Sequence, residues 1–266
     1  MTKKIYSILM ATALLMAGVT MSGCKDKNAP KEPAKVKTYS MSVSASLGVE
    51  NSSAKAPRKA LDLDGNKLEA KWDGTERVSV YNVTKSAAFE GQLAPDGSGV
   101  KTNLEGNLTG VVEENDELRF ELCAPNYTDQ NGTLAYIAAN CDYAIATGTA
   151  DIATVPGAIR IHGTTLGFES QQCIMKLTLT AGGSSISPTA MTINDGTSDI
   201  ASLTIPAATY TANGAGIVFV AIPRVDSKML TFTATEGANN YTFTTPSAVS
   251  LTNGKYYVQE IAMTAL

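Results

Sequence analysis

The residues able to do chemistry are few: one histidine, four cysteines, one tryptophan and a short run of aspartates. His162 ends the stretch Ile159-Arg160-Ile161-His162, alternating with apolar neighbours. As a catalytic base it needs a nucleophile and a carboxylate converging on it. The alternation reads instead as a strand residue at the surface or in packing. With no second histidine and no closely spaced cysteine pair, a zinc site lacks ligands. Asp62-Leu63-Asp64-Gly65-Asn66, followed by Glu69 and Asp73, has the alternating hard oxygens that suit calcium. Its glycine stands fourth instead of sixth, and Asp73 stands twelfth where glutamate belongs, so the run reads as a solvated Asp-Gly turn. No metal, no cofactor and no acid/base pair are expected; a secreted hydrolase has no machinery here, and the chain reads as a non-enzyme.

The cysteines and the tryptophan point to structure. Besides Cys24 there are Cys123, Cys141 and Cys173, an odd number. One disulfide, Cys123 with Cys141, leaves Cys173 protected in an apolar strand; buried, unpaired thiols are the alternative. Trp72, just before Asp73-Gly74, is a core plug on this reading, although an exposed tryptophan could stack on a glycan.

Cys24 differs in kind. Lys3 and Lys4 open the chain, Ile8 to Val19 is apolar, and Met21-Ser22-Gly23 places small residues directly before Cys24. This is the pattern of a secretory signal, too short to span a bilayer, and its end resembles the lipobox of bacterial lipoproteins. The charged, proline-containing stretch from Lys25 to Pro33 then reads as a tether to the body of the protein. Acyl chains on Cys24 would hold the protein on a membrane leaflet, each buried methylene contributing about 0.8 kcal/mol.

The 266 residues carry 21 basic and 25 acidic side chains, a formal charge of −4, with no basic cluster in the body, which removes nucleic acid as a partner. With 31 Thr, 20 Ser and 22 Gly, the composition favours strands and turns. The clearest strand runs from Val36 to Leu47: Tyr39, Met41, Val43, Ala45 and Leu47 point one way, and Thr38 and four serines the other. A polar loop, Glu50 to Arg58, follows; Arg58-Lys59 there is flanked by alanines, the usual setting for trypsin-like nicking. Further strands are expected at 77–81, 86–93, 117–124, 134–138, 143–146 and 158–162. A second series runs through 173–180, 189–194, 199–205, 216–222, 228–236, 240–244 and 255–264. Only 103–118 and 186–192 could hold a helical turn. Many short strands at such spacing indicate an all-β protein of two antiparallel sandwiches in tandem. The expected division is a signal at 1–23, a tether at 24–35, and domains at 36–165 and 166–266.

Taken together, Cys24, the strand Thr38 to Leu47, the Arg58 loop and Trp72-Asp73-Gly74-Thr75-Glu76-Arg77-Val78-Ser79-Val80 resemble the fimbrillin family of the Bacteroidales, the lipoprotein-derived subunits of type V pili. Asp142-Tyr143 and Phe168 to Leu177 are similar to the start of that family's second sandwich. The resemblance implies transthyretin-like domains and export as a palmitoylated outer-membrane lipoprotein facing outward. It also implies a cut by an Arg-specific protease, after which the first strand leaves with its lipid and an incoming subunit's strand takes its place. On this sequence the cut falls at Arg58 and Lys59, and the lost strand carries Tyr39, Met41, Val43 and Leu47. The donor is the last strand, with Tyr256, Val258, Ile261 and Met263, whose mixed alternation leaves the inserted face open. The implied partners are other fimbrial subunits, outer-membrane lipid through Cys24, the protease, and an unidentified host or bacterial ligand. The function expected is a fimbrial structural subunit or fimbrillin-like adhesin assembled by strand exchange. The alternative is an unpolymerised surface lipoprotein that keeps its first strand and binds a glycan or host protein.

Overall fold

The computed structural model describes residues 35–47, 60–64, 67–163 and 165–266, with side chains described outside 60–70. Its strands fall into two curled, sandwich-like sheets in tandem, and the protein is all-β. The first sheet uses β1 (Lys37–Leu47), β4 (Val78–Asn82), β5 (Ala87–Ala88), β6 (Ala94–Pro95), β7 (Lys101–Gly110), β8 (Glu117–Leu122), β9 (Ala144–Asp151), β10 (Ala158–Ile161) and β11 (Leu166–Ser170). A separate hairpin is made by β2 (Ala60–Asp64) and β3 (Lys67–Lys71). The second sheet uses β12 (Gln172–Ala181), β13 (Ser184–Ser185), β14 (Ala190–Asn194), β15 (Asp199–Thr204), β16 (Ile217–Pro223), β18 (Thr231–Glu236), β19 (Asn239–Thr244) and β21 (Tyr256–Ala265), with a ribbon of β17 (Val225–Lys228) and β20 (Val249–Leu251) beside it.

The period-two alternation of β1 does what it must: Tyr39, Met41, Val43, Ala45 and Leu47 are buried while the serines between them face outward. Around them lies the first core, where Trp72, 1% exposed, meets Phe168 edge-to-face at 5.6 Å. Trp72 is thus a plug and not a surface platform.

Three local expectations need correction. The strand expected at 134–138 is instead helix α1 (Leu134–Asn140), because Thr133 accepts the Tyr136 N–H as an N-cap and the alanine-rich run that follows favours a helix. The helical turn expected within 103–118 is β7 over its first half, to Gly110, since pairing with β1 overrides the local pattern. The turn expected within 186–192 is irregular chain leading into β14, which pairs with β15 and β18. A second short helix, α2 (Ala207–Asn213), joins β15 to β16.

The two halves interlock through a buried glutamine. The backbone of Gln130 bonds to Ser202 O and Thr204 N of β15, while its side-chain amide exchanges two 2.8 Å bonds with the Ala221 peptide of β16. A residue from the loop after β8 therefore fills the seam between two strands of the second sheet. Nearby, α1 lays Ile137 and Cys141 against Ile174, Phe219 and Ala221, a small third core between the halves.

Candidate functional site

The most informative place in the molecule is the seat of β1. Along one edge β1 pairs antiparallel with β7 over ten consecutive residues, Lys37 to Ser46. Along the other it pairs parallel with β10 at Ser40 and Met41, and with β11 at Ala45, Ser46 and Leu47. It is an interior strand, although it is the first of the described strands. Its core face is nearly sealed, from 0% exposure at Ala45 to 8% at Val43. Burial raises the pKa of Tyr39. The outer face is hydrophilic: Thr38 and Thr109 hydroxyls meet at 2.8 Å, and Ser42 donates to Glu105 at 3.1 Å. Where β1 lies between β7 and β10, a solvent groove of about 750 Å³ is lined by Met41, Ser42, Glu105, Asn107, Ile159 and Arg160 among others.

The last strand is seated differently. β21 pairs parallel with β12 over eight residues, from Tyr256 opposite Ile174 to Met263 opposite Ala181. On its other edge Thr264 and Ala265 pair with β19, and Leu266 N–H donates to Asn240 O. Ile261 and Met263 are buried, Tyr256 and Tyr257 half-buried, and Val258 is 48% exposed. Strand parity puts Tyr257, Ile261 and Met263 on one face and Tyr256 and Val258 on the other, so the four residues expected to act together are split.

The remaining candidates are spread through the fold. Cys24, Arg58 and Lys59 lie outside the described residues. Cys123 and Cys141 are not joined by a disulfide, although Cys123 lies near enough to help raise the pKa of Cys141, whose main cause is burial. Cys173 is buried, and its Sγ lies 3.1 Å from Thr252 O. Burial lifts both the Cys141 and Cys173 thiols to about 12, which leaves neither a nucleophile at neutral pH. His162 Nε2 stands 3.3 Å from Glu114 Oε1, whose other oxygen accepts the Ile152 and Ala153 N–H groups, so the histidine helps fasten a loop. Asp62 and Asp64 belong to the β2–β3 hairpin, and among the described residues no cluster of metal-ligating side chains occurs.

Sequence reasoning missed the buried polar groups that set the frame. Glu76, 2% exposed, accepts the N–H groups of Asp73 and Gly74 and so fixes the turn after Trp72. Gln172 accepts from Tyr143 N and donates to Asp142, tying the loop between α1 and β9 to the first strand of the second sheet. Single glutamines in polar context carry no periodic signal that could have disclosed this. Among the described residues no helix is long and apolar enough to cross a membrane.

No family model and no curated protein matches the sequence. Several solved structures are similar to the chain. A candidate cell adhesion protein from Bacteroides ovatus shares 13% identity at a TM-score of 0.43, covering 87% of this chain and 96% of its own. The tip fimbrial protein Mfa3 from Porphyromonas gingivalis, with C-terminal truncation, shares 8% identity at 0.41, covering 86% and 98%. A candidate cell adhesion protein from Bacteroides uniformis shares 12% identity at 0.40, covering 73% and 91%.

Proposed function

We propose that this chain is a structural subunit of a surface fimbria, or a fimbrillin-like adhesin, exported as a lipoprotein on Cys24 and assembled by strand exchange after proteolysis near Arg58. The observation that carries the reading is the seat of β1. The first of the described strands is an interior strand of its sheet, and residues 48–59, with Arg58 among them, connect it in sequence to the described strands that follow.

A cut there leaves β1 held by two ladders and by side-chain burial alone. Tyr39, Met41, Val43 and Leu47 contribute about 1.5–3 kcal/mol each when buried. Their sum matches the whole stability of an ordinary domain, about 5–15 kcal/mol. Losing β1 opens a groove with unpaired backbone on β7, β10 and β11, and another strand of the same alternation restores both contacts and pairing. Cleavage thereby turns a self-satisfied monomer into a subunit that is stable within a polymer. The donor on this reading is β21 of a neighbouring subunit. Residues 36–165 and 166–266 act as its two domains, and the lipid on Cys24 places the precursor at the outer membrane, facing outward. The cut also removes seven basic and three acidic residues of the mature chain, leaving 12 basic against 22 acidic and an acidic, soluble polymer. No catalysis is assigned to it.

The test uses residues 24–266 carrying Cys24→Ser. Light digestion with an Arg-specific protease, followed by native gels and negative-stain microscopy, should give one cut after Arg58 and then a ladder of oligomers or filaments. Arg58→Ala should abolish both. A clipped monomer that keeps residues 36–47 bound, or an Arg58 that resists the protease, would sink the polymer reading and favour a monomeric surface lipoprotein.

A further inference from the structure

One turn governs both edges of the first half of β1. β7 runs antiparallel to β1 and ends at Gly110, opposite Lys37. The turn that follows, residues 111–116, is firmly held. Buried Asp116 accepts the Asn82 side-chain amide and the Glu113 N–H, each at 2.8 Å, and Asn82 also donates to Val111 O. Backbone bonds from Asn115 N–H to Ala150 O, and from Ala150 N–H to Asp116 O, fasten the turn to the end of β9. From this turn Glu114 reaches the loop between β9 and β10. One of its carboxylate oxygens accepts the Ile152 N–H at 2.8 Å and the Ala153 N–H at 3.1 Å, and the other stands 3.3 Å from His162 Nε2. Asp151 then accepts both the N–H and the hydroxyl of Thr154. At the far end of the loop Gly157 O accepts the Ser40 N–H of β1, and β10 begins its pairing with β1 at Ala158, opposite Ser40. Ala153, Thr154, Pro156 and Gly157 are exposed, so hydrogen bonds, more than burial, set where the loop lies.

Resting on the strand-exchange reading, we infer that Glu114 latches the first half of β1 in its seat by holding the β9–β10 loop where the Gly157 carbonyl meets Ser40, and so slows the departure of β1 after cleavage. Its carboxylate acts through the loop, which makes it a positioning residue. Bonds from peptide N–H groups to a carboxylate are charge-assisted and stronger than neutral ones. Two of them at the root of an exposed loop keep that loop closed against local opening. When they break, Gly157 parts from Ser40 while the β7 edge stays paired, because the turn that carries Glu114 keeps its own bonds to Asn82 and Ala150. The hold on β1 is thus loosened along one edge without disturbing the other.

The test has two readouts, both on residues 24–266 carrying Cys24→Ser. In the uncut protein, amide hydrogen exchange read by NMR should show Ser40 losing protection about tenfold in Glu114→Ala, the loss of one net hydrogen bond to a charged group. The Leu47 N–H, which donates to Val100 O at the other end of β1, should keep its protection. Glu114→Gln retains an acceptor oxygen and should restore most of the protection at Ser40. Glu117→Ala, at an exposed carboxylate of β8, should change nothing. In protein labelled at its N-terminal amine and cut after Arg58, the labelled fragment should leave about tenfold faster in Glu114→Ala, with unlabelled peptide of residues 37–47 in excess as a trap. Unchanged protection at Ser40 overturns the inference and leaves strand exchange standing. Equal loss at Ser40 and Leu47, which is general loosening, does the same, as does a release rate equal to that of the wild type. A fragment that leaves neither the wild type nor the variant sinks the strand-exchange reading, while exchange in the uncut protein still decides whether Glu114 latches β1.

Discussion

β1 and β21 are the first and last strands of the same all-β body, of nearly equal length, 11 and 10 residues, yet they are held in opposite ways. β1 is bound on both edges and buries every second side chain. β21 is bound along one edge by β12 and touches β19 only at its end, with Val258, Gln259 and Glu260 exposed in succession. The first arrangement makes a demanding seat, and the second makes a strand that gives up less when it moves. A subunit that both receives and donates a strand needs that asymmetry, because the site with most to lose drives the exchange.

The largest effect should come from emptying the demanding seat. A variant lacking residues 37–47 should lose about 5–10 kcal/mol of the stability of the first half, enough to unfold it. Fluorescence of Trp72, the only tryptophan and part of that core, reports this directly. A synthetic peptide of residues 37–47 added in trans should restore the signal. A deletion variant that keeps a native Trp72 spectrum would show that β1 is not essential to its own core, and the contrast with β21 would dissolve.

The contrast was only half legible in the sequence. Strict alternation over 37–47 is what an interior strand with one core face and one hydrophilic face must show, so β1 could be read directly. β21 was legible as a strand at 255–264 but not in its faces, because a strand exposed on both faces at 258–260 gives no clean period. The short run at 134–138 was ambiguous for a different reason: Leu134-Ala135-Tyr136-Ile137-Ala138 suits either state, and the Thr133 cap decides it. Gln130 was invisible because its role depends on Ser202, Thr204 and Ala221, which are far from it in sequence. The disulfide expected between Cys123 and Cys141 is not formed, and the alternative of unpaired, shielded thiols holds for Cys141 and Cys173.

An intermediate effect separates the two strands by pH. Cys173 begins the strand that carries β21, and Cys141 packs beside it in the small core between the halves. Burial holds both thiols at about 12 in the folded protein, above the ordinary value near 8.5 of an unfolded chain. The folded state therefore keeps protons that the unfolded state releases. Stability is full below about pH 8.5 and falls as pH rises toward 12, by up to about 1.4 kcal/mol per pH unit for each thiol. Urea unfolding between pH 7 and 10, followed by far-UV circular dichroism and by Trp72 fluorescence, should show this loss. Cys173→Val should remove about half of the slope. Equal slopes in the wild type and the variant would mean that the second half does not hold its thiols out of water as tightly as its packing indicates.

The smallest effect is the sharpest test of how β21 is held. Val43 and Val258 are the same residue on the two strands, 8% and 48% exposed. Val43→Ser removes a buried side chain and should cost about 2–3 kcal/mol. Val258→Ser should change stability by no more than about 0.5 kcal/mol, as surface substitutions do. Both are read from urea midpoints at several protein concentrations. If Val258→Ser costs as much as Val43→Ser, and the cost grows with concentration, then the free edge of β21 is already covered by a second copy before any cleavage. The monomer would then not be self-satisfied, and the order of cleavage before association would have to be reversed.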